Sequence, residues 1–349
     1  MGGEKNASEE SWAVRRSISR RDFLKAGGVG LAGAALLGAA GCAQEEEEPG
    51  EAGGAGGLVN RGDIRIEFVT HGPPADPFWS IVKNGLDQAQ SDMGVQVEYR
   101  APTAFEIPQI QRNFESAIAS NPNGIAATVA DPDALGPLVE KAVSEGIPVV
   151  MLNAGLDDWE ELGALNYVGQ TEFEAGVEAG KRLADAGVSN ALCINHEQGV
   201  ATLDQRCEGF DKGLGGSVKQ VAVDGSDPTA AQSGIATALR QNPDVNGMLT
   251  LGPAGSEPAL KALKESGKED SVKFGTFDLS PEILKSVRDG EMLFAVDQQP
   301  YLQGYLSVVF LTNYIQYLLH PVGVIPTGPA FVTEQDAETV IKLSEEGIR

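Results

Sequence analysis

The sequence is poor in the side chains that bind metals or attack substrates, with three histidines and three cysteines among 349 residues. His71, His196 and His320 lie far apart, and none has a second ligand at the spacing of one helix face. Cys193 comes three residues before His196, but strand alternation would put the two side chains on opposite faces. We therefore predict no metal site and no cofactor.

Signatures of several enzyme classes are also missing. No G-x-G-x-x-G follows the first predicted strand, no G-x-x-x-x-G-K-S/T occurs, and no G-x-S-x-G places a nucleophile at a strand–helix turn. We expect a protein that is not an enzyme. An exported carbohydrate-active enzyme such as a glycosidase stays open as the alternative, because carboxylates at strand ends could act as general acid and base.

Basic residues are scarce. Lys and Arg total 26 against 50 Asp and Glu, which gives a net charge of −24, and they cluster only near the N-terminus. This charge disfavours a nucleic-acid-binding surface, and we predict no nucleic-acid partner. The apolar fraction of 42% is that of a globular protein, and 349 residues are enough for two domains.

The uncharged run over residues 26–41 has 16 residues, which is short for a membrane-spanning helix. It follows Arg20, Arg21, Phe23 and Leu24, and this order of basic, apolar and small residues resembles a twin-arginine export signal. We predict that residues 1–41 are such a signal. A retained anchor helix is the alternative.

A cysteine stands at the end of this run. Gly41-Cys42 resembles the lipobox of bacterial lipoproteins, in which the cysteine is lipidated, although Ala39 stands where that pattern usually has leucine. Residues 42–61 are rich in Gly, Ala, Pro and Glu, and we interpret them as a flexible tether to the outer face of the cytoplasmic membrane. Residues 1–41 carry six basic and four acidic side chains, so their removal changes the net charge from −24 to −26.

From residue 63 onward, strand and helix patterns alternate. A strand is predicted over 64–69, an amphipathic helix over 77–93, a strand over 95–99 and a helix over 107–120. Further strands are predicted over residues 124–129, 147–152, 191–195, 218–223, 247–251, 272–277 and 291–296. Roughly ten strands are many for one sheet, so we predict an α/β protein with two doubly wound parallel-sheet lobes.

Polar and aromatic residues follow the carboxyl ends of these strands, where ligands gather in such folds. Asp76, Phe78 and Trp79 come after the first strand, and Asp76 before a proline also fits a helix N-cap. Later strands are followed by Asp131, Asn153, His196, Asp278 and Gln298. A sugar has apolar C–H faces and polar edges, so aromatic rings beside carboxylates and amides predict a site for a small sugar or polyol.

Several short motifs occur in the order seen in ribose-binding-protein-like periplasmic sugar receptors. They are Asp76-Pro77-Phe78-Trp79, Gly146-Ile147-Pro148-Val149-Val150 before Asn153, Arg206-Cys207-Glu208-Gly209-Phe210, Asn242-Pro243-Asp244-Val245, Phe277-Asp278 and Gln298-Gln299-Pro300. The resemblance covers about residues 63–327. It implies a type I periplasmic binding protein that delivers its ligand to the membrane subunits of an ABC importer. The lactose-repressor family shares the fold but begins with a DNA-reading helix-turn-helix, whereas this chain begins with an export signal.

The resemblance also implies roles for individual residues. Asp76 stands where the family often has a hydroxyl-binding Asn, Phe78 and Trp79 match an aromatic pair with Trp79 as the stacking plate, and Asn153 matches a common Asp. Arg206 matches a sugar-clamping arginine, with an ordinary helix-surface arginine as the alternative. Asp278 matches a bidentate carboxylate, and Gln298 matches a hinge-side amide.

Some positions depart from the family. Ala154 and Gly252 stand where the ribose receptors have Arg and Asn, and Ser226 near Asp227 stands at a usual second aromatic. A site built from hydrogen bonds rejects ligands that leave its groups unpaired, so the ligand need not be ribose. A hexose or a polyol such as inositol fits as well as a pentose, and a non-sugar such as autoinducer-2 stays open.

The family pattern implies two lobes that close about a hinge of several chain crossings. The N-terminal lobe would comprise residues 63–169 and 299–326, and the C-terminal lobe residues 170–298 and 327–349. Ligand binding would shift the population toward the closed form. We expect the protein to be a monomer.

Cys193 and Cys207 are the two cysteines beyond Cys42. One lies in a predicted strand and the other on the helix that follows. In an exported protein they could form a disulfide, and two buried free cysteines are the alternative.

Overall fold

The computed structural model of the protein describes residues 59–349. They contain twelve strands in two six-stranded sheets, with ten α-helices and one short 3-10 helix at Arg61–Asp63. The predicted export signal and Cys42, with most of the predicted tether, lie outside the described residues.

The first sheet is entirely parallel. Its strands are β1 (Arg65–Val69), β2 (Gln96–Arg100), β3 (Gly124–Ala127), β4 (Val149–Leu152), β5 (Asn166–Gln170) and β11 (Gly323–Gly328). They lie in the order β11-β5-β4-β3-β1-β2, so β2 and β11 are the edges.

The second sheet repeats this order of strands, but one of its edge strands runs in the opposite direction. Its strands are β6 (Asn190–Asn195), β7 (Ser217–Ala222), β8 (Gly247–Thr250), β9 (Lys273–Phe277), β10 (Phe294–Asp297) and β12 (Ala330–Val332). The order is β12-β10-β9-β8-β6-β7, and β12 pairs with β10 antiparallel while the other pairs are parallel.

Helices cover both sheets. They are α1 (Pro77–Met93), α2 (Ile107–Ala119), α3 (Pro132–Ser144), α4 (Glu172–Asp185), α5 (Ala201–Leu214), α6 (Pro228–Gln241), α7 (Pro253–Glu265), α8 (Pro281–Arg288), α9 (Pro300–Tyr317) and α10 (Glu334–Glu345). Many begin with proline, whose fixed φ and missing N–H suit the first turn of a helix. Among residues 59–349, no helix is long and apolar enough to cross a membrane.

The prediction of two parallel-sheet α/β lobes is confirmed, and two apolar clusters fill the space against each sheet. The sequence patterns missed β5, β11 and β12. β5 has only Tyr167 and Val168 as strong strand formers, and β11 contains two glycines and Pro326. The antiparallel pairing of β12 was also not predicted.

The chain passes between the two sheets three times. It leaves the first sheet after β5, returns to it after β10, and leaves again between β11 and β12. Buried polar side chains occupy these crossings: Gln170, Gln298, Gln303 and Thr327. Gln303 Nε2 donates to Gln298 Oε1 and to Thr327 Oγ1, at 3.2 Å each, and Gln170 Nε2 donates to Glu172 Oε2 at 2.8 Å. These hydrogen bonds reduce the cost of burying the crossings.

Glycines bring α4 and α5 into close contact. A Cβ at Gly176 would overlap the Arg206 carbonyl, and one at Gly209 would overlap the Phe173 carbonyl. A disulfide also joins Cys193 of β6 to Cys207 of α5, with their Cα atoms 5.9 Å apart. These contacts fix α5, and therefore Arg206, against α4 and the second sheet.

Candidate functional site

The carboxyl ends of the strands in both sheets face a cavity of about 380 Å³, which is within the range of small-molecule sites. Eight of the predicted site residues line it: Asp76, Phe78, Trp79, Asn153, His196, Arg206, Asp278 and Gln298. The structure does not bring Asp131 into the cavity. Its carboxylate instead caps α3 by accepting a hydrogen bond of 3.0 Å from the Ala134 N–H, and Asp131 is not among the residues that line the cavity.

Arg206 lies in the cavity wall and is held by Glu172. Its Nε donates to Glu172 Oε2 at 2.6 Å, its Nη2 donates to Glu172 Oε1 at 3.1 Å, and its Nη1 donates to the Leu251 carbonyl at 2.9 Å. Arg206 and Glu172 are both buried, which rules out an ordinary helix-surface arginine. Burial by itself lowers the pKa of Arg206, but the charges of Glu172 and Asp278 raise it above its ordinary value.

A chain of polar contacts crosses the hinge. Asn153 Nδ2 donates to Gln298 Oε1 at 3.2 Å, and Gln298 Nε2 donates to Asp278 Oδ1 at 2.7 Å. The other oxygen of Asp278 accepts a long 3.5 Å contact from Arg206. Asn153 precedes the first chain crossing, Gln298 lies in the second, and Asp278 belongs to the second lobe. The two lobes therefore share one hydrogen-bonded system at the base of the cavity.

Two of these residues have left-handed backbone conformations, with φ of 64° at Asn153 and 61° at Asp278. Asn and Asp tolerate this region better than most residues, but it is still uncommon outside glycine. It turns each side chain from the end of its strand toward the cavity. Strain of this kind concentrates at ligand sites.

Asp278 has an altered acidity. Burial raises its pKa to about 6, although the charge of Arg206 and the hydrogen bond from Gln298 act in the opposite direction. At neutral pH the group is therefore ionised. It becomes protonated only a little below neutrality.

Two histidines contribute neutral nitrogen atoms to the cavity. Burial lowers the pKa of His71 to about 4, and burial together with the charge of Arg206 lowers that of His196 to about 4. In each ring Nδ1 is buried and has no hydrogen-bond partner among residues 59–349. A ligand hydroxyl that reached these atoms would satisfy them, which is favourable because unpaired buried polar atoms are costly.

The resemblance implies that Trp79 stacks on the ligand, but the structure buries most of its ring. Trp79 is only 6% exposed and packs in the apolar cluster of α1 and the first sheet, edge-on to His71 with the ring centres 4.8 Å apart. A Cβ at Gly72 would overlap the indole. Phe78 is half-buried, and its ring lies edge-on to Trp79 at 5.0 Å. Trp79 is therefore a packing residue as well as part of the wall, and Phe78 presents more surface to a ligand.

Two further carboxylates line the cavity from opposite lobes. Asp76 caps α1 by accepting a 2.8 Å hydrogen bond from the Phe78 N–H, which confirms the N-cap interpretation, and it also lines the cavity. The surrounding protein atoms desolvate this carboxyl and raise its pKa, although it keeps contact with solvent. Desolvation and then the charge of Asp76 raise the pKa of Glu197.

Sequence reasoning missed Glu172, His71 and Gln303 as parts of this system. Glu172 follows β5, the strand that the pattern did not predict, so its place after a strand end was not visible. Gln303 lies in the first turn of α9, where it accepts from Asn153 Nδ2 at 3.1 Å and donates to Gln298 Oε1 at 3.2 Å. Among residues 59–349, no cluster of His, Cys, Asp and Glu could hold a metal ion.

Two family models match the sequence. The periplasmic binding protein domain matches residues 66–317, and the TAT (twin-arginine translocation) pathway signal sequence matches residues 17–42. The predictions of the receptor family and of a twin-arginine signal are therefore confirmed.

Known proteins with related sequences bind sugars or polyols. The crystal structure of a carbohydrate transporter from Acidothermus cellulolyticus 11B in complex with myo-inositol is similar with a TM-score of 0.77 and 34% identity. The match covers 82% of this chain and 99% of that chain. The xylose/arabinose-binding protein XylF of Sulfolobus acidocaldarius is 27% identical over 298 residues, 80% of this chain and 73% of that protein. AraP, an arabinose-binding protein from Geobacillus stearothermophilus, has a TM-score of 0.67 and 26% identity, covering 79% of this chain and 99% of AraP.

Proposed function

The chain belongs to the periplasmic binding protein family, and we propose that it is the extracytoplasmic receptor of an ABC importer for a monosaccharide or polyol. The polar chain from Asn153 through Gln298 to Asp278 and Arg206 is the observation that carries this proposal. It presents fixed donors and acceptors from both lobes to one cavity.

The site chemistry favours a neutral, hydroxyl-rich ligand. Asp76, Glu197 and Asp278 offer acceptors, whereas Arg206 is already paired with Glu172. An anionic ligand would meet uncompensated carboxylates. Hydroxyl groups can donate to carboxylates and also satisfy the histidine nitrogens, and Phe78 offers an aromatic face to the C–H side of a ring.

Binding would act through closure of the lobes. A ligand that contacts Asp76 and Phe78 in the first lobe and Asp278 and Arg206 in the second makes its full set of contacts only when the lobes are closed. We propose the lobe limits 63–169 with 299–326, and 170–298 with 327–349. A saturating ligand should then reduce the radius of gyration measured by solution scattering.

We further propose that the protein is a monomer anchored to the outer face of the membrane by a lipid at Cys42. The small residues before Cys42 and the twin-arginine signal that matches residues 17–42 support this anchor. A receptor held near its importer meets the transporter at a raised effective concentration.

A thermal-shift screen tests the proposed ligand class. Residues 56–349 form one compact unit and are the part to use. A ligand that binds only the folded state adds about 2.7 kcal/mol of stability at a concentration of 100 Kd, so one or a few monosaccharides or polyols, myo-inositol included, should raise the melting midpoint.

The same screen also tests non-sugar ligands, and a separate experiment with a labelled sugar tests for an enzyme. If amino acids or autoinducer-2 raise the midpoint while no sugar or polyol does, the proposed ligand class is wrong. If a labelled sugar is recovered as product instead of unchanged ligand after denaturation, the protein is a carbohydrate-active enzyme.

A further inference from the structure

The end of α9 and the connection to β11 form an exposed apolar surface. Leu318 is 74% exposed, Leu319 64% and Val322 84%, and Tyr317 is also exposed. We call these four residues the apolar tip. Large apolar side chains exposed side by side mark an interaction surface more often than isolated ones do.

The apolar tip lies far from the ligand cavity. In a parallel sheet the connections from a helix to the next strand lie at the amino ends of the strands, whereas the cavity lies at the carboxyl ends. α9 starts at the hinge and extends over 18 residues, about 27 Å at the rise of an α-helix, before it reaches the tip. The tip can therefore be occupied without blocking the cavity.

The chain segment that carries the tip is unusually free of charge. No Asp, Glu, Lys or Arg occurs from Gln298 to Thr333, although 22% of the whole chain is charged. Tyr314 and His320 pack edge-to-face beside the tip with ring centres 5.3 Å apart. Exposed leucines with neighbouring tyrosines and no acidic residues are typical of surfaces that enter the interfacial layer of a bilayer.

The chain that leads to Cys42 emerges at the same end of the molecule. Gln316 Nε2 donates to the Val59 carbonyl at 3.1 Å, and Arg61 Nε donates to Gln316 Oε1 at 2.8 Å. Residues 42–58 cannot span more than about 60 Å in any conformation. A lipid at Cys42 would therefore keep this end of the protein near the bilayer, where even a weak surface affinity has effect.

From these observations we propose that the apolar tip contacts the lipid surface to which the protein is anchored and orients the receptor on it. A second copy of the chain is a poorer occupant. Two copies each of net charge −26 repel one another, and Pro326 together with a register shift after it interrupts the open edge of β11. The inference rests on the proposed lipid anchor, but its test does not.

The test couples the compact unit to vesicles by chemistry instead of by the native lipid. Residues 56–349 form one compact unit, so this part is suitable. The variant Gly57→Cys is joined to a maleimide lipid in phosphatidylcholine vesicles. A second substitution, Leu318→Trp, reports the depth of the apolar tip in the bilayer, because brominated phosphatidylcholine quenches the fluorescence of a tryptophan that enters it. The matched control is Leu293→Trp, at an exposed apolar position of the other lobe.

We expect brominated lipid to reduce the added fluorescence of Leu318→Trp by about half, since interfacial side chains lie about 5–10 Å deep, and to leave that of Leu293→Trp unchanged. Equal quenching at both positions, or none at Leu318, would overturn the proposal. Sedimentation of the uncoupled unit as a dimer that Leu319→Glu dissociates would overturn it in favour of self-association. Acylation of Cys42 is measured separately in cells. Absence of acylation would therefore contradict the proposed lipid anchor, whereas absence of quenching would contradict the proposed contact between the apolar tip and lipid.

Discussion

Glu172 holds Arg206 by two hydrogen bonds, of 2.6 Å from Nε and 3.1 Å from Nη2, and both side chains are buried. The two residues lie 34 positions apart, at the start of α4 and within α5. The carboxylate fixes the guanidinium plane, so that Nη1 points to Asp278 and the cavity. Glu172 is thus a positioning residue for Arg206 in the proposed ligand site.

Glu172→Gln should weaken ligand binding about tenfold or more, because Arg206 loses the carboxylate that orients it and the nearer of its two counter-charges. The unfolding free energy should also fall by about 3–5 kcal/mol, the usual cost of breaking a buried ion pair. Calorimetry and a melting curve on the same variant measure the two effects. Glu174→Gln, an exposed neighbour in the same turn, is the control and should change neither. Unaltered affinity in the Glu172 variant would show that Arg206 needs no positioning.

Ligand affinity should fall as the pH drops below about 6, because protonation of Asp278 removes its charge as a hydrogen-bond acceptor. His71 and His196 stay neutral in this range, since their pKa values are about 4. Calorimetry between about pH 5 and pH 8 measures the profile, and Asp278→Asn should bind more weakly with a flatter profile. An equally steep profile in that variant would assign the titration to Asp76 or Glu197, whose pKa values are also raised.

Without ligand, Asp278 should make the protein less stable as the pH rises. Its folded-state pKa of about 6 lies above the ordinary value of 3.8, so the folded state binds more protons than the unfolded state between these values. The unfolding free energy should therefore decline by up to about 3 kcal/mol from about pH 4 to pH 6. Urea titrations across this range test the sign, and Asp278→Asn should lack this component.

Phe78→Ala and Trp79→Ala should separate binding from packing. Removal of the buried indole should cost about 3–5 kcal/mol of stability through the cavity it leaves, in addition to any loss of affinity. Phe78 is half-buried, so its truncation should cost less stability and weaken binding by about tenfold or more. Melting curves and calorimetry on both variants decide this. Unchanged affinity in Phe78→Ala would remove that ring from the site.

Thiol titration should find no free cysteine in unfolded, unreduced residues 56–349, because Cys193 and Cys207 are paired. The double variant with serine at both positions should lose about 3 kcal/mol of stability, the value for a closed loop of this length. Two reactive thiols before reduction would show that the purified protein lacks the disulfide between Cys193 and Cys207.

Cys42→Ser should abolish incorporation of a labelled fatty acid and release the exported protein from the membrane fraction. Cys193→Ser/Cys207→Ser is the control, since it changes two cysteines and should leave labelling intact. Persistent membrane association of unlabelled Cys42→Ser would point to a retained signal helix instead.

Local signals made much of the fold predictable. The helix predicted over 77–93 has those limits in the structure, because Asp76 caps it, Pro77 starts it and Gly94 ends it in a left-handed conformation. β5 could not be predicted in this way, since its five residues are buried by neighbouring elements and not by their own hydrophobic pattern.

The sequence by itself determined the alternation of strands and helices, and with it the edge of the sheets at which the cavity lies. Seven of the residues predicted from strand ends line the cavity, because the carboxyl ends of parallel strands share one edge, and Arg206, which the family resemblance implied, lines it too. The cap formed by Asp131 is also local, because the Ala134 N–H that it accepts lies only three residues further along the chain. Only the tertiary structure decided that Trp79 is buried and that Glu172 orients Arg206. Both depend on side chains brought together from separate elements by packing, such as the glycine contacts between α4 and α5, and no local pattern records such contacts.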